Sequence, residues 1–263
     1  MSKLGSMGYV LGGVGALAFE LIALAGWQAR LDAKLTALAP VAAARAAVVA
    51  VVQVPVLQSQ PAAPAAIAAA QPRREDGYYG QLRSQVRWVP TRMGRDTMLT
   101  PDVNSRMLLA RSAAQRAGLD QVGLSYRDVY GIINAETSWV PRTGASKDGT
   151  PNLGIAQFEP ATARALGLRD PNDLVEAIHV AARHMKEAAV WSAERIARLK
   201  LGDDQRAQKL REGVSIYYNL STRGRNLWNG KNTARLPTET QKHILNARIG
   251  AQQAAHLELQ ARL

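Results

Sequence analysis

The sequence predicts a mainly α-helical domain that follows an N-terminal hydrophobic segment and an Ala/Pro-rich tether. Aromatic residues make up only 5% of the 263 residues while alanine is abundant, a composition that favours helices over a β-sandwich. After residue 100, apolar residues recur at helical spacing, and no strand of convincing length is predicted there. These observations indicate one helical domain with a long N-terminal extension.

Residues 1–27 are predicted to form a membrane anchor. From residue 9 to residue 27 the chain is nearly all apolar or small, and Glu20 is the one charged residue. An acid at the bilayer centre costs about 2.5–3.5 kcal/mol, and strongly apolar residues return about 0.3–0.6 kcal/mol each, so insertion is close to neutral. The small-x-small pattern at residues 23–25 leaves a cleaved secretory signal as the alternative.

Residues 28–99 are predicted to form a tether. An apolar stretch at residues 38–57 is interrupted by Pro40, Arg45 and Pro55, so its uninterrupted part is too short to span a membrane. Residues 55–72 alternate Pro, Ala and Gln with almost no charge, which is typical of an extended linker.

The folded domain is predicted at residues 100–250, with residues 251–263 as a C-terminal helical extension. Thr100 is predicted to cap the first helix, which Gly118 ends. Residues 142–153 are predicted to form a loop or small hairpin. Further helices are predicted to begin at Pro160, at residues 170–171, at Asp203 and at Thr238.

One predicted helix carries an acid in an apolar stripe. Ser125 and Asp128 predict a capping box at its start, and Pro141 predicts its end within a turn of Glu136. The face at positions i, i+3, i+4 and i+7 consists of Val129, Ile132, Ile133 and Glu136. A glutamate that acts as a general acid near neutral pH needs its pKa raised from about 4.3 to about 6, and burial can supply this. An exposed acid at a frayed helix end is the alternative.

Four motifs occur in order along the chain, and the first of them begins at this acid. They are Glu-Thr-Ser-Trp-Val-Pro at residues 136–141, Gly-Ile-Ala-Gln-Phe-Glu-Pro-Ala-Thr at residues 154–162, Tyr-Tyr-Asn at residues 217–219 and Leu-Pro-Thr-Glu-Thr at residues 236–240. They resemble the signature of the soluble lytic transglycosylase domain family of the lysozyme-like superfamily: Glu-Ser-x-aromatic-x-Pro, Gly-Leu-Met-Gln-x-x-Pro-x-Thr, Ala-Tyr-Asn and Leu-Pro-x-Glu-Thr. The resemblance covers about residues 100–250.

The resemblance implies a lysozyme-like fold and cleavage of the β-1,4 bond between N-acetylmuramic acid and N-acetylglucosamine in peptidoglycan, with a 1,6-anhydromuramyl product. Glu136 would be the one catalytic carboxylate, first acid and then base. No cofactor and no metal are implied, and His179 and His184 are not at the spacing of a helical metal pair. The implied substrate-binding residues are Thr137, Gln157, Phe158, Tyr218 and Asn219.

The chain departs from the family pattern near Tyr218. Tyr217 stands where the family has alanine, and Leu220-Ser221 stand where it has Ala-Gly, so the cleft wall is expected to differ. A hydrolytic muramidase would need a second carboxylate. The nearest in sequence are Asp148, expected to be a solvated loop acid, and Glu159, expected to be a helix-start acid.

Net charge and residue content limit the partners. The net charge of +12 suits anionic polymers, and the absence of cysteine excludes thiol nucleophiles and cysteine metal sites. The expected partners are peptidoglycan glycan strands and, through residues 1–27, the bacterial inner membrane, with a secretion, conjugation or phage-entry machine as a further class implied by the resemblance. The expected location is the periplasm, anchored or after signal cleavage.

Three other functions remain open at this point. The first is a non-catalytic peptidoglycan-binding subunit of an envelope-spanning machine, and the second is a hydrolytic muramidase. The third, which is not expected, is a nucleic-acid binder that uses the basic loop at residues 222–235 with Trp228.

Overall fold

The computed structural model describes residues 74–146 and 148–262, and these residues are mainly helical, as the sequence predicts. The predicted anchor or signal segment, residues 1–27, lies outside the described residues, as does the predicted tether up to residue 73. In the described part of the chain, no helix is long and apolar enough to cross a membrane.

The elements form a helical domain with two short antiparallel hairpins. The strands are β1 Trp88–Met93, β2 Asp96–Pro101, β3 Gly144–Ala145 and β4 Pro151–Asn152, with β1 paired to β2 and β3 to β4. The helices are α1 Arg74–Gln85, α2 Val103–Ala117, α3 Tyr126–Thr137, α4 Pro160–Ala165, α5 Leu174–Ile196, α6 Asp203–Asn219, α7 Thr222–Arg225 and α8 Thr238–Gln260, with 3₁₀ turns at Leu119–Val122 and Thr233–Arg235.

Helix α5 lies in the core, where α2 and α6 pack against it. Its start differs from the predicted residues 170–171, because the side chain of Asp173 accepts hydrogen bonds from the backbone N–H groups of Val175 and Glu176. Its predicted inner face is confirmed as buried, and consists of Leu174, Ala177, Ile178, Ala181, Met185 and Ala188.

Helix α2 begins later than the sequence predicts. Its cap is Asp102, whose carboxylate accepts from the Ser105 N–H at 2.7 Å, and Gly118 ends the helix in a left-handed conformation as predicted. The prediction that Thr100 caps the helix is wrong. Thr100 is in β2, and its hydroxyl donates to the carbonyl of Trp139 at 2.7 Å.

Residues 74–99 belong to the folded domain, so the predicted tether is wrong for this stretch. Tyr79 and Leu82 of α1 are buried in the core. The Tyr78 hydroxyl lies 2.6 Å from the Ser112 hydroxyl, which in turn lies 2.8 Å from Nε2 of His179. These hydrogen bonds connect α1 to α2 and α5.

Helices α3 and α8 pack side by side and run antiparallel. Gly131 and Gly250 lie where they cross, and a Cβ added to Gly131 would lie 2.3 Å from the carbonyl oxygen of Ala247. The amide of Asn134 donates to the carbonyl of Asn246 at 3.1 Å. The missing side chains of the two glycines therefore allow a close approach of the helices.

The C-terminal end of α8 is part of the domain. The sequence predicts a C-terminal helical extension at residues 251–263, and α8 continues without a break to Gln260. Ala254 is buried and Leu257 packs against the core, because the apolar face that begins earlier in the helix continues to this point.

Candidate active site

The end of α3 determines where Glu136 lies. The predicted capping box is present at its start, where the Asp128 carboxylate accepts from the Ser125 N–H at 2.7 Å. The helix ends at Thr137, one residue after Glu136, as predicted. Ser138 and Trp139 then have positive φ angles of 52° and 66°, an uncommon conformation for residues other than glycine that turns the chain sharply.

Arg142 binds the carbonyl groups at this helix end. Its guanidinium donates to the carbonyl of Thr137 at 2.7 Å and to that of Glu136 at 3.1 Å. A cation at this position satisfies carbonyls that have no partner within the helix and offsets the negative end of the helix dipole. Arg142 thus stabilises the backbone that presents the Glu136 side chain.

The Glu136 carboxylate is largely shielded and hydrogen-bonded. Its side chain is 14% exposed, and its Oε1 lies 2.7 Å from Nε2 of His243, whose side chain is 5% exposed. The other three residues of its predicted face, Val129, Ile132 and Ile133, are buried. The geometry therefore differs from that of a frayed, solvated helix end.

Tyr218 lies next to this pair. Its hydroxyl donates to the carbonyl of Ala156 at 3.2 Å, and its ring is stacked on that of His243 with centroids 6.4 Å apart. Burial raises the pKa of the Tyr218 hydroxyl well above its ordinary value, and the negative charge of Glu136 raises it further. Tyr218 is therefore a neutral hydrogen-bond donor.

Hydrogen bonds connect the four motif segments, residues 136–141, 154–162, 217–219 and 236–240. The hydroxyl of Thr137 donates to the carbonyl of Ile155 at 2.9 Å, which connects the first segment to the second. Tyr218 connects the third to the second, as described above. Asn219 accepts from the Thr240 hydroxyl at 2.8 Å and connects the third to the fourth.

Gln157 and Phe158 have mainly supporting contacts. Both contacts of the Gln157 amide nitrogen go to backbone carbonyls, those of Arg142 and Gly154, at 2.8 Å each. Phe158 is buried, with its ring centroid 5.8 Å from that of Tyr218. Gln157 thus stabilises the loops around the acid, and Phe158 packs behind Tyr218.

Tyr217, one of the residues that depart from the family pattern, belongs to an aromatic cluster beside Tyr218. Tyr217 lies between the rings of His184 and Trp191, at centroid distances of 5.2 and 5.4 Å, and the Arg225 guanidinium lies 3.7 Å from its ring centroid. Burial lowers the pKa of His184. The cluster lies beside Tyr218, whose ring centroid is 5.5 Å from that of His184.

The basic loop predicted at residues 222–235 contains the short helix α7 and a 3₁₀ turn. Trp228 is fully buried, stacked on Trp191, and its indole N–H donates to the Thr233 hydroxyl at 3.1 Å. Its ring is therefore not available to stack on a base or a sugar. The sequence also predicts that Thr238 caps α8, but Thr238 is the first helical residue and makes no side-chain cap.

The two acids named as possible second carboxylates have separate surroundings. Asp148 is exposed, and hydrogen bonds from Thr150 lower its pKa. Glu159 precedes α4 and accepts from the Ser146 hydroxyl at 2.8 Å. Across the described residues, no group of three or more histidines and acids could bind a metal ion.

No family model and no curated protein matches the chain. The motif resemblance therefore remains a prediction from individual residues.

The sequence reasoning did not identify His243 and Arg142. Arg142 directly follows the first motif and lies close enough in sequence to contact the helix end. His243 occupies the buried face of α8 that also carries Thr240, Gly250 and Ala254. A polar side chain on a buried helical face is the signal that also singled out Glu136, and applied to α8 it would have found His243.

The site has the parts that proton transfer requires. A shielded carboxylate at a helix end is hydrogen-bonded by an imidazole on one side, and a neutral phenol lies next to both. Such a carboxylate can give a proton to a leaving oxygen and take one from a hydroxyl.

Proposed function

We propose that the protein is a peptidoglycan lytic transglycosylase with a lysozyme-like domain. The observation that supports this best is the convergence of the four motif segments, which are up to about a hundred residues apart and are joined by hydrogen bonds next to one shielded glutamate. A chance likeness in four short stretches would not require the stretches to meet in space.

The proposed reaction uses Glu136 twice. As an acid, it protonates the glycosidic oxygen between N-acetylmuramic acid and N-acetylglucosamine. As a carboxylate, it then accepts the proton of the muramyl C6 hydroxyl, whose oxygen attacks C1 and closes the 1,6-anhydro ring. The attacking hydroxyl belongs to the same sugar, so the step gains the high effective concentration of an intramolecular nucleophile.

The proposed setting is the bacterial periplasm. Residues 1–27 would anchor the protein in the inner membrane or direct its export, and peptidoglycan strands would be its partner, within a secretion, conjugation or phage-entry machine. The net charge of +12 suits an anionic cell wall, and the burial of Trp228 removes the aromatic residue on which nucleic-acid binding by the basic loop would depend.

The test is mass analysis of the products released from purified peptidoglycan. We expect the wild-type protein to release anhydromuramyl products and Glu136→Gln to release them at least about 100-fold more slowly, as expected for loss of a general acid. The matched control is Asp148→Asn, which removes the same charge from an exposed loop and should keep wild-type activity.

Other products would replace the proposal with a specific alternative. Reducing muramyl ends would identify a hydrolytic muramidase. Wild-type protein that sediments with cell-wall sacculi and releases nothing would identify a binding subunit. DNA binding that falls steeply with salt, without release of wall fragments, would identify a nucleic-acid binder.

A further inference from the structure

We propose that His243 is a positioning residue that donates from Nε2 to Oε1 of Glu136 and so fixes the direction of the catalytic carboxylate. This inference rests on the proposed function, because it assigns a role within that reaction. It concerns a residue outside the four motif segments, on the face of α8 that packs against α3.

The contact between His243 and Glu136 is part of the packing of α3 against α8. Helices α3 and α8 are joined at three further levels: the Asn134 amide to the Asn246 carbonyl, the crossing at Gly131 and Gly250, and Arg127 to Glu258 at 2.7 Å. Because these contacts fix the antiparallel register, the position of His243 opposite Glu136 does not depend on one side-chain rotamer.

The other ring nitrogen of His243 determines where the ring carries its hydrogen. Nδ1 of His243 is buried and has no hydrogen-bond partner among the described residues. A hydrogen on Nδ1 would be a buried donor without an acceptor, which is costly, whereas a hydrogen on Nε2 lies within bonding distance of Oε1 of Glu136. The favoured arrangement therefore places the single ring proton on Nε2, where the Glu136 carboxylate accepts it.

Two titratable side chains face the ring of His243 among the described contacts, Glu136 from α3 and Tyr218 from α6. The Tyr218 hydroxyl donates to the carbonyl of Ala156, so the Glu136 carboxylate is the acceptor available to Nε2–H. The bond from His243 therefore fixes the direction of the carboxylate that takes part in the proposed reaction.

Two variants separate this role from simple packing. His243→Gln places an amide N–H₂ near the position of Nε2 and can still donate to Oε1, whereas His243→Phe keeps a ring of similar size without a donor. We expect His243→Phe to release anhydromuramyl products about 10- to 100-fold more slowly, the factor for one hydrogen bond to a charged group. We expect His243→Gln to recover most of the rate with an unchanged pH profile.

A measurement on the resting wild-type protein completes the test. Nitrogen-15 NMR of the imidazole rings reports which ring nitrogen carries the proton, and the signal of His243 among the 4 histidines is the one missing from His243→Gln. We expect the Nε2–H form. Unfolding curves of both variants show whether they are folded.

Each outcome has a defined meaning. Folded His243→Gln that is no more active than His243→Phe, or a wild-type ring protonated on Nδ1, overturns the inference. Wild-type protein that releases nothing refutes the proposed function and with it the role of His243 in that reaction, while the NMR signal still decides whether the hydrogen bond to Glu136 exists.

Discussion

Two effects act on the negative charge of the Glu136 carboxylate, the helix end and the hydrogen bond from His243, and their magnitudes differ. The end of a helix disfavours negative charge by about 0.3–1 kcal/mol, and Arg142 offsets part of this by binding the last carbonyls. A hydrogen bond to a charged group contributes about 1.5–3 kcal/mol. The bond to His243 is therefore the larger effect, and it decides the direction in which the carboxylate points.

The hydroxyl of Tyr218 is expected to donate a hydrogen bond and not to transfer the catalytic proton. Because burial and Glu136 raise its pKa, Tyr218 stays protonated at neutral pH and acts as a donor to Ala156 rather than as a base. Tyr218→Phe keeps the ring, so we expect the rate of product release to fall by no more than about 10-fold and the alkaline side of the pH profile to stay in place.

Initial rates between about pH 6 and about pH 10 check this prediction. His184, whose ring also lies near Tyr218, provides the control through His184→Gln, which should leave the alkaline side unchanged as well. A shift of the alkaline side in Tyr218→Phe alone would show that the phenol itself transfers the proton.

The sequence indicates Glu136 but not the contacts that direct its carboxylate. The spacing of apolar residues that singles out Glu136 lies within one helix, so the sequence of that helix is enough to find it. His243 is 107 residues away, and nothing within α3 indicates which residue of which helix will lie opposite. The role of Gln157 was also not predictable, because a motif specifies the residue type and not the direction of its amide.

The packing of α3 against α8 depends on the small size of the residues where the two helices cross. A Cβ on Gly250 would lie 2.6 Å from Cβ of Asn134 and 2.9 Å from Cα of Gly131, distances that side chains do not adopt. The helices cannot accept even a methyl group at this crossing without moving apart. Since Glu136 and His243 lie on the same two helices, the crossing distance also sets the distance between them.

Gly131→Ala should therefore affect both stability and activity. Its new Cβ would meet the backbone of α8 at Ala247, so we expect a loss of about 1–3 kcal/mol in the free energy of unfolding and slower product release. Gly80→Ala in α1 is the matched control, because nothing lies within 4 Å of its Cβ position, and alanine there should stabilise the helix slightly. Denaturant unfolding and the release assay measure both. Equal stability of the two variants would contradict the close crossing.

The opposite end of the same helix pair predicts a dependence of stability on pH. Glu258 of α8 accepts hydrogen bonds from Tyr126 and Arg127 of α3, which lower its pKa from 4.5 to about 2. The carboxylate then contributes stability above about pH 4.5, and the contribution is lost as the pH falls through the range down to about pH 2.

Glu258→Gln tests this contribution. Since the Glu258 side chain is 15% exposed, we expect the wild type to exceed the variant by on the order of 2 kcal/mol at neutral pH, and the difference to vanish near pH 2. Urea unfolding at several pH values measures it. A difference that does not change with pH would mean that Glu258 contributes by packing alone.

For the whole molecule, the sequence predicted the mainly helical class and the cores of α3, α5 and α6, because each carries its own pattern of caps and periodic apolar residues. It missed α1 and the hairpin β1–β2. Helix α1 contains two glycines and many polar residues, so it has no clear apolar stripe, and its place depends on contacts with α2 and α5. A pattern within one segment cannot reveal such contacts.

The contacts of α1 with α2 and α5 predict that residues 74–99 contribute to the stability of the domain. The buried side chains of Tyr79 and Leu82 each contribute up to about 1.5–3 kcal/mol, a sizeable part of a typical total of about 5–15 kcal/mol. A fragment of residues 102–263 should therefore be less stable than a fragment of residues 74–263 by about 3–6 kcal/mol, and it loses the bond from Thr100 to Trp139 beside the site. Guanidinium unfolding of both fragments measures the difference, and Leu82→Ala in the longer fragment should reproduce about half of it. Equal stability of the two fragments would mean that residues 74–99 add nothing to the folded domain, as expected of a tether.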